Sequence, residues 1–318
     1  MTRVLGIDLG GTGLRRGVVA VDGSVEDLRS VRHGGFSHPM EAVERIAAVV
    51  DEATAKHGPF DAVGLGVAAW VERGTGFVTR APNLGWIDVP FGELLRRRLK
   101  MPVAVHNDLK AIAWGEYRFG AGAGASTLLV VFVGTGVGAA VVADGQLLLG
   151  GRGFGGEIGH VQVGPADGPT CGCGRRGCLE AYVGGHAMSR RAQELSLQGR
   201  ISTLPEEADR REWTVSDLED LSRRGDSEAL ALLEHGGTLL GRAIGSLVTF
   251  LNPDFVLMGG GVWDSSEYLR DAMRAALDGA SHPDLRKSVH LAESALGTKA
   301  GVAGAADLAR QILERPIG

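Results

Sequence analysis

The chain opens with an apolar strand, Val4 to Leu9, that breaks at Gly10-Gly11-Thr12-Gly13, resumes as Leu14 to Val21, turns at Asp22-Gly23 and continues from Val25. This reads as a hairpin meander with a glycine-rich first turn. The same succession returns later: Thr127 to Val133, Gly134-Thr135-Gly136, Val137 to Ala143, a turn at Asp144-Gly145, then Gln146 to Leu149. Thr12 and Thr135 stand 123 positions apart and the two Asp-Gly turns 122 apart, so the chain holds two copies of one unit. Two similar α/β domains are expected.

Between the copies, Pro39 to Ala53 has helical spacing through Met40, Val43, Ile46, Ala47 and Val50, and Phe60 to Val67 reads as a strand. Phe91 to Leu99 is a short amphipathic helix. Val103 to Val105 is a brief strand that delivers His106-Asn107-Asp108, after which Leu109 to Tyr117 is helical. Side chains at such a strand end line the crevice where open α/β sheets bind ligands. Downstream, Ala187 to Leu197, Thr214 to Arg223 and Asp226 to Leu251 read as helices, with a polar surface excursion at Gln198 to Glu212. Phe255 to Met258 is a strand opening into Gly259-Gly260-Gly261, and Ala300 to Leu313 is a last helix.

At 318 residues, with 44% apolar and 22% charged positions, the chain has the make-up of a globular enzyme of about two domains. A net charge of -5 speaks against a nucleic-acid surface; Arg96-Arg97-Arg98 and Arg223-Arg224 read as solvated helix faces. Val4 begins a strand without a charged lead or cleavage site, and no apolar run reaches membrane-spanning length, so neither export nor insertion is expected. The three cysteines suit a reducing cytoplasm.

Glycine turns after strands at three places suggest a polyphosphate clamp of backbone N–H groups. Asp8 ends the first strand where the second copy has Val131, so the meander does not need that carboxylate; beside a phosphate loop it is suited to Mg2+. None of the loops is a Walker A sequence. Phosphoryl transfer to an alcohol needs positioning, charge neutralisation and one base. Asp108 is the candidate base; on local sequence it reads equally as an N-cap of the following helix. An amide such as Asn107 beside a carboxylate binds adjacent sugar hydroxyls.

His160, Cys171, Cys173 and Cys178 lie within nineteen residues and hold every cysteine of the chain. One imidazole and three thiols fill a tetrahedral shell for structural Zn2+, leaving no open position for chemistry. Arg175 and Arg176 are expected to favour thiolate. Glu157 and Glu180 flank the cluster, so the metal would hold two acidic side chains near one another, as a polyol ligand requires.

These residues resemble the ROK family of sugar kinases and repressors, specifically its bacterial glucokinases. The similarity spans nearly the whole chain, from Asp8-Leu9-Gly10-Gly11-Thr12 to Met258-Gly259-Gly260-Gly261. Its most specific parts are Gly134-Thr135-Gly136-Val137-Gly138, Gly155-Gly156-Glu157-Ile158-Gly159-His160 and the Cys171 to Glu180 cluster. The resemblance implies the actin-like, hexokinase-like (ribonuclease H-like) ATPase fold with two related domains around a cleft. These are a small domain, 1–118, onto which helix 302–318 folds back, and a large one, 119–301, with the zinc loop. It implies ATP-dependent phosphorylation of the glucose 6-hydroxyl with Asp108 as base. Asn83, Asn107, Glu157, His160 and Glu180 would bind the other hydroxyls; Asp8, Gly10, Gly11, Thr12, Thr135 and Gly136 would face the phosphates, and Gly259 to Gly261 the adenosine end. Homo-oligomers, dimeric or tetrameric, are common in similar proteins.

In one departure from the family pattern, many relatives carry lysine after Gly-Gly-Thr, whereas this chain has Gly13 followed by Arg15 and Arg16. Competing readings are a kinase for N-acetylmannosamine, N-acetylglucosamine, fructose or mannose, and a non-catalytic sugar-binding regulator. The strand at Val4 leaves no expectation of a DNA-reading helix-turn-helix ahead of it.

Overall fold

A computed structural model describes residues 2–202 and 212–314. The first sheet has the order β3-β2-β1-β4-β8, from β1 (Val4–Leu9), β2 (Gly13–Val19), β3 (Val25–Arg32), β4 (Ala62–Val67) and β8 (Val103–Asn107). β1, β4 and β8 run parallel while β2 and β3 return antiparallel at one edge. β1 and β4 are almost wholly buried, which is why they read as apolar runs instead of alternating ones, broken only by Asp8 in β1. A small antiparallel sheet, β5 (Trp70–Val71), β6 (Val78–Ala81) and β7 (Trp86–Val89), follows β4.

The second five-stranded sheet has the order β11-β10-β9-β12-β13, from β9 (Thr127–Val133), β10 (Val137–Ala143), β11 (Gln146–Leu147), β12 (Phe255–Gly259) and β13 (His290–Glu293). Position for position this is the topology of the first sheet, as the repeated meander predicts.

Helices α1 (Pro39–His57), α2 (Phe91–Leu99) and α3 (Asp108–Phe119) alternate with the first set of strands. α4 (Glu180–Val183), α5 (Gly185–Leu197), α6 (Val215–Arg223) and α7 (Ser227–Leu251) precede β12; α8 (Gly261–Ser265), α9 (Glu267–Ala280) and α10 (Pro283–Ser288) follow it, and α11 (Ala300–Glu314) closes the chain. Thr214 and Asp226, read as first helical residues, are the N-caps of α6 and α7, their side chains accepting from backbone amides of the first turn.

Two compact units result. One comprises residues up to Leu128, 140–156 and from Ser294 onward; the other comprises Leu129–Ala139 and Glu157–Glu293. In the first, Leu5, Ile7 and Leu65 pack with Val43 and Ile46 of α1, while Val4 and Ala62 pack with Val302, Ala303 and Ala306 of α11. α11 lies at backbone contact: a Cβ on Gly64 would stand 1.9 Å from Ala305 O, and one on Gly6 2.1 Å from Val302 O. In the second, Gly237 and Gly241 on α7 let α9 approach as closely, with Leu269 O and Met273 O each 2.3 Å from where a Cβ would lie.

The sequence places no helix or strand in 68–90 or 262–299. β5 to β7 are two to four residues long, too short for a periodic signal, and Asp88 in β7 has φ +51°. α9 does carry a legible stripe, Leu269, Met273 and Leu277, all fully buried. Of the expected polar excursion, 203–211 lies outside the described residues. Among the described residues, no helix is long and apolar enough to cross a membrane.

Candidate functional site

In the first unit, the strand register aligns Leu9, Val67 and Asn107, so Asp8 stands at the C-terminal end of β1 and Asn107 and Asp108 at that of β8, with parallel β4 between them. Asn107 has extended backbone and is the N-cap of α3: its Oδ1 accepts from the Lys110 amide at 3.1 Å. Asp108 is the first helical residue, so the N-cap role that the local sequence also allows it falls to Asn107. Asn107 Nδ2 donates to Asp108 Oδ1 at 3.0 Å and to Ala69 O at 3.2 Å, and the Leu109 amide donates to the same Oδ1 at 2.8 Å. The carboxylate is therefore held in one orientation. Gly66 backs it, since a Cβ there would stand 3.3 Å from Asp108 Cα.

Asp8 pairs with Arg15 across the hairpin, Oδ2 to Nη1 at 3.2 Å. Burial raises the Asp8 carboxyl above its ordinary value, and the Arg15 charge and hydrogen bond oppose this. Arg16 points to the other face. It is 1% exposed and bound to Asp27 and Glu52, so of the two arginines only Arg15 stands at the glycine turn.

That turn is closed by Gly10 N–H donating to Gly13 O at 2.9 Å. Gly11 is hemmed by Asn83, whose Cβ would be 3.2 Å from a Cβ at Gly11. Asn83 itself sits in a 3-10 turn, Pro82–Leu84, ended by Gly85 at φ +67°. Thr12 O accepts from the His33 amide at 3.1 Å, and His33 Nε2 lies 3.1 Å from Gly10 O. His33 escaped the sequence reading; its one signal is a His-Gly-Gly step where β3 ends. Lys110 escaped as well, hidden in the apolar spacing of α3. It is 4% exposed, and its Nζ donates to Gly153 O at 2.5 Å. With His106, Asn107, Glu72 and Leu149 it lines a small cavity. Burial first, and then the Lys110 charge, push His106 down to about 4, so this imidazole is neutral at pH 7.

In the second unit, Gly134 O and Thr135 O accept from the amides of Gly185 and His186 at the start of α5, at 2.8 and 3.2 Å. Gly136 adjoins Glu180, whose Oε2 accepts from the Val137 amide at 3.0 Å. Gly259 packs on the Phe132 ring and Gly260, at φ +104°, on the Val133 backbone, whereas a Cβ on Gly261 would meet nothing within 4 Å. Glu157 precedes the 3-10 turn Ile158–His160, and its carbonyl accepts from the His160 amide at 3.1 Å.

His160, Cys171, Cys173 and Cys178 converge, each offering a ligand atom within 4.8 Å of the others. His160 Nδ1 is 3.6 Å from Cys171 Sγ, and Cys173 and Cys178 sulfurs are 3.8 Å apart. Ligands at Zn–S and Zn–N bond lengths on a tetrahedron stand roughly 3.5–3.8 Å from one another, so the donor set and its spacing are compatible with structural zinc. Without an ion, burial pushes the Cys171 thiol up to about 12. Burial raises Cys173 too, but hydrogen bonds from the Arg175 amide and the neighbouring thiols, with the Arg175 charge, bring it down. Arg176 does not share that task; its guanidinium donates to Asp167 O and Gly168 O.

The ROK family profile matches residues 4–312. The glucokinase of Streptomyces coelicolor is 33% identical over 324 residues, covering 98% of this chain and 98% of that protein. The glucokinase of Halalkalibacterium halodurans is 32% identical over 312 residues, covering 96% and 94%. Among solved structures, a ROK family glucokinase from Streptomyces griseus in complex with glucose and AMPPNP matches with a TM-score of 0.81 at 33% identity, covering 97% of this chain and 99% of that one. The paired sheets and these matches give the actin-like, hexokinase-like ATPase fold. On sequence and structure alike, the chain belongs to the ROK family.

Proposed function

We propose that the chain is an ATP-dependent glucokinase that transfers the γ-phosphoryl group of ATP to the 6-hydroxyl of glucose, with Asp108 as general base. The observation that carries the reading is the Asn107–Asp108 pair at the end of β8. Asn107 takes the capping duty, and Asp108 is oriented by two donors on one oxygen. A base so fixed contributes about 10²–10⁴ in rate by accepting the hydroxyl proton as the phosphoryl group transfers. Glucokinase relatives matched over nearly their full length support the substrate pair.

Asn83, Asn107, Glu157, His160 and Glu180 are proposed to bind the remaining hydroxyls. Gly10, Gly11, Thr12, Thr135 and Gly136 would bind the phosphates, and Gly259 to Gly261 the adenosine. Zn2+ would be held by His160, Cys171, Cys173 and Cys178 and would brace that loop. Mg2+ would arrive with the nucleotide near Asp8 and neutralise phosphate charge. The domain division at 118/119 with 302–318, of which 315–318 lie outside the described residues, returning to the first domain, a cytoplasmic location and a homo-oligomeric state, dimer or tetramer, complete the proposal.

A panel of hexoses assayed with ATP and with polyphosphate tests it: glucose with ATP should give the highest kcat/KM. Asp108→Asn should lower kcat by about 10²–10⁴ while glucose binding, followed by calorimetry, stays within a few-fold. Turnover surviving within about tenfold removes Asp108 from the base role.

A further inference from the structure

We propose that His33 is a positioning residue for the Gly10–Thr12 turn, holding its peptide planes so that the Gly11 amide faces the nucleotide phosphates. The inference rests on the reading of that turn as a phosphate turn. His33 directly follows β3 and grips the turn twice, through its own amide to Thr12 O at 3.1 Å and through Nε2 at 3.1 Å from Gly10 O.

The ring's proton can be assigned from its neighbours. Nδ1 accepts from the Gly35 amide at 3.0 Å, so it carries no hydrogen, and a neutral imidazole then bears its proton on Nε2, which donates to Gly10 O. Phe36 stacks on the ring at 4.1 Å and fixes its plane.

A trans peptide sets its carbonyl and the following N–H on opposite sides. No cis bond occurs among the described residues, so capture of Gly10 O by His33 turns the Gly11 N–H away from the imidazole. The Gly10 amide is already committed to Gly13 O, which leaves the Gly11 amide as the group His33 directs. An N–H fixed before the anion arrives binds it without a cost of reorganisation.

The second copy handles its turn in a related way. There the Gly185 and His186 amides capture Gly134 O and Thr135 O, again by donors on the turn's carbonyls. In that second turn the donors to the carbonyls are backbone amides, whereas in the first one of them is the His33 ring, which a substitution can remove.

The full chain with His33→Gln, His33→Asn or His33→Phe provides the test. Gln reaches Gly10 O with its amide N–H, Asn replaces the acceptor to Gly35 alone, and Phe keeps the stack and removes both bonds. Steady-state kinetics with glucose and MgATP are read beside calorimetric titration of MgADP without sugar. His33→Asn and His33→Phe should raise KM for ATP and Kd for ADP by about tenfold, the value of one hydrogen bond, while KM for glucose stays within about twofold. His33→Gln should bring ADP affinity back to within about threefold of wild type. The proposal is overturned if the Asn and Phe variants bind ADP like wild type, if KM for glucose rises as far as KM for ATP, or if Gln is as impaired as Phe. Wild-type protein that binds ADP yet leaves glucose unphosphorylated overturns the proposed function instead, and the ADP ranking of the variants still decides the role of His33.

Discussion

Glu180 and Val137 are joined by a hydrogen bond of 3.0 Å, from the Val137 amide to Oε2 of the carboxylate. The other oxygen, Oε1, stands 3.6 Å from Sγ of Cys171, and Gly136 passes so close that a Cβ on it would lie 2.5 Å from Oε2. One side chain thus ties the second glycine turn to the thiol cluster, whereas the sequence relates it only to that cluster and to sugar.

Two variants separate these duties. Glu180→Ala removes the acceptor for Val137 and should raise KM for ATP as well as for glucose, each by about tenfold or more. Glu180→Gln keeps an oxygen for the amide and should spare the ATP value while still weakening glucose. An Ala variant whose ATP KM is unchanged would show that the hydrogen bond to Val137 does not matter to the turn.

The four-ligand cluster predicts close to one equivalent of zinc in protein purified without chelator, and less than about half an equivalent would count against it. Because Cys171 and Cys178 are buried and Gln162 bridges to Cys178, removing the metal should loosen the 160–180 segment as a whole. Chelation should therefore lower Tm and raise KM for glucose together, both restored on adding zinc back. Loss of zinc with neither change would reduce the cluster to a passive clasp.

Much of this was legible because both meanders carry apolar runs that strands buried on two faces require, and β9, β10 and α2 begin and end where the pattern places them. The cluster was legible because its donors are close in sequence. What escaped depends on pairings between distant residues. Nothing local distinguishes Lys110 as a donor to Gly153 O, 43 residues on, or His33 as the partner of Gly10 O. Arg15 and Arg16 are adjacent and alike in type, and only the β2 pleat sends one to Asp8 and buries the other against Asp27.

The seat of α11 is a matter of missing side chains. Gly64 faces Ala305 O and Gly304 faces Ala111 O at distances, 1.9 and 1.8 Å from an added Cβ, that no rotamer change can relieve. Either Gly64→Ala or Gly304→Ala must push the helix off β4 or α3. The expected cost is about 3 kcal/mol or more, and a Tm lower by roughly 5 °C or more in a thermal melt. Gly34→Ala, at an open position, serves as the comparison; it has φ +66°, so its smaller cost reports backbone strain alone.

Acid stability should depend on Asp27. Lys56, then Arg16 and His57, donate to its carboxylate at 2.8, 2.7 and 3.0 Å, and with Arg29 they hold its pKa far below the ordinary 3.8. The folded chain therefore stays unprotonated there while the unfolded chain takes up a proton, so stability is full above the unfolded value and falls as pH drops below it. Asp8, raised by burial, works in the opposite sense: the folded state binds that proton more readily, which favours it as pH falls. Asp27→Asn should lower Tm near neutral pH, because buried Arg16 then keeps, among the described residues, only Glu52 as an ion-pair partner. The variant should also show a shallower fall of Tm below pH 4 than the wild type. Parallel Tm–pH curves for the two proteins would show that the Asp27 cluster contributes nothing to acid sensitivity.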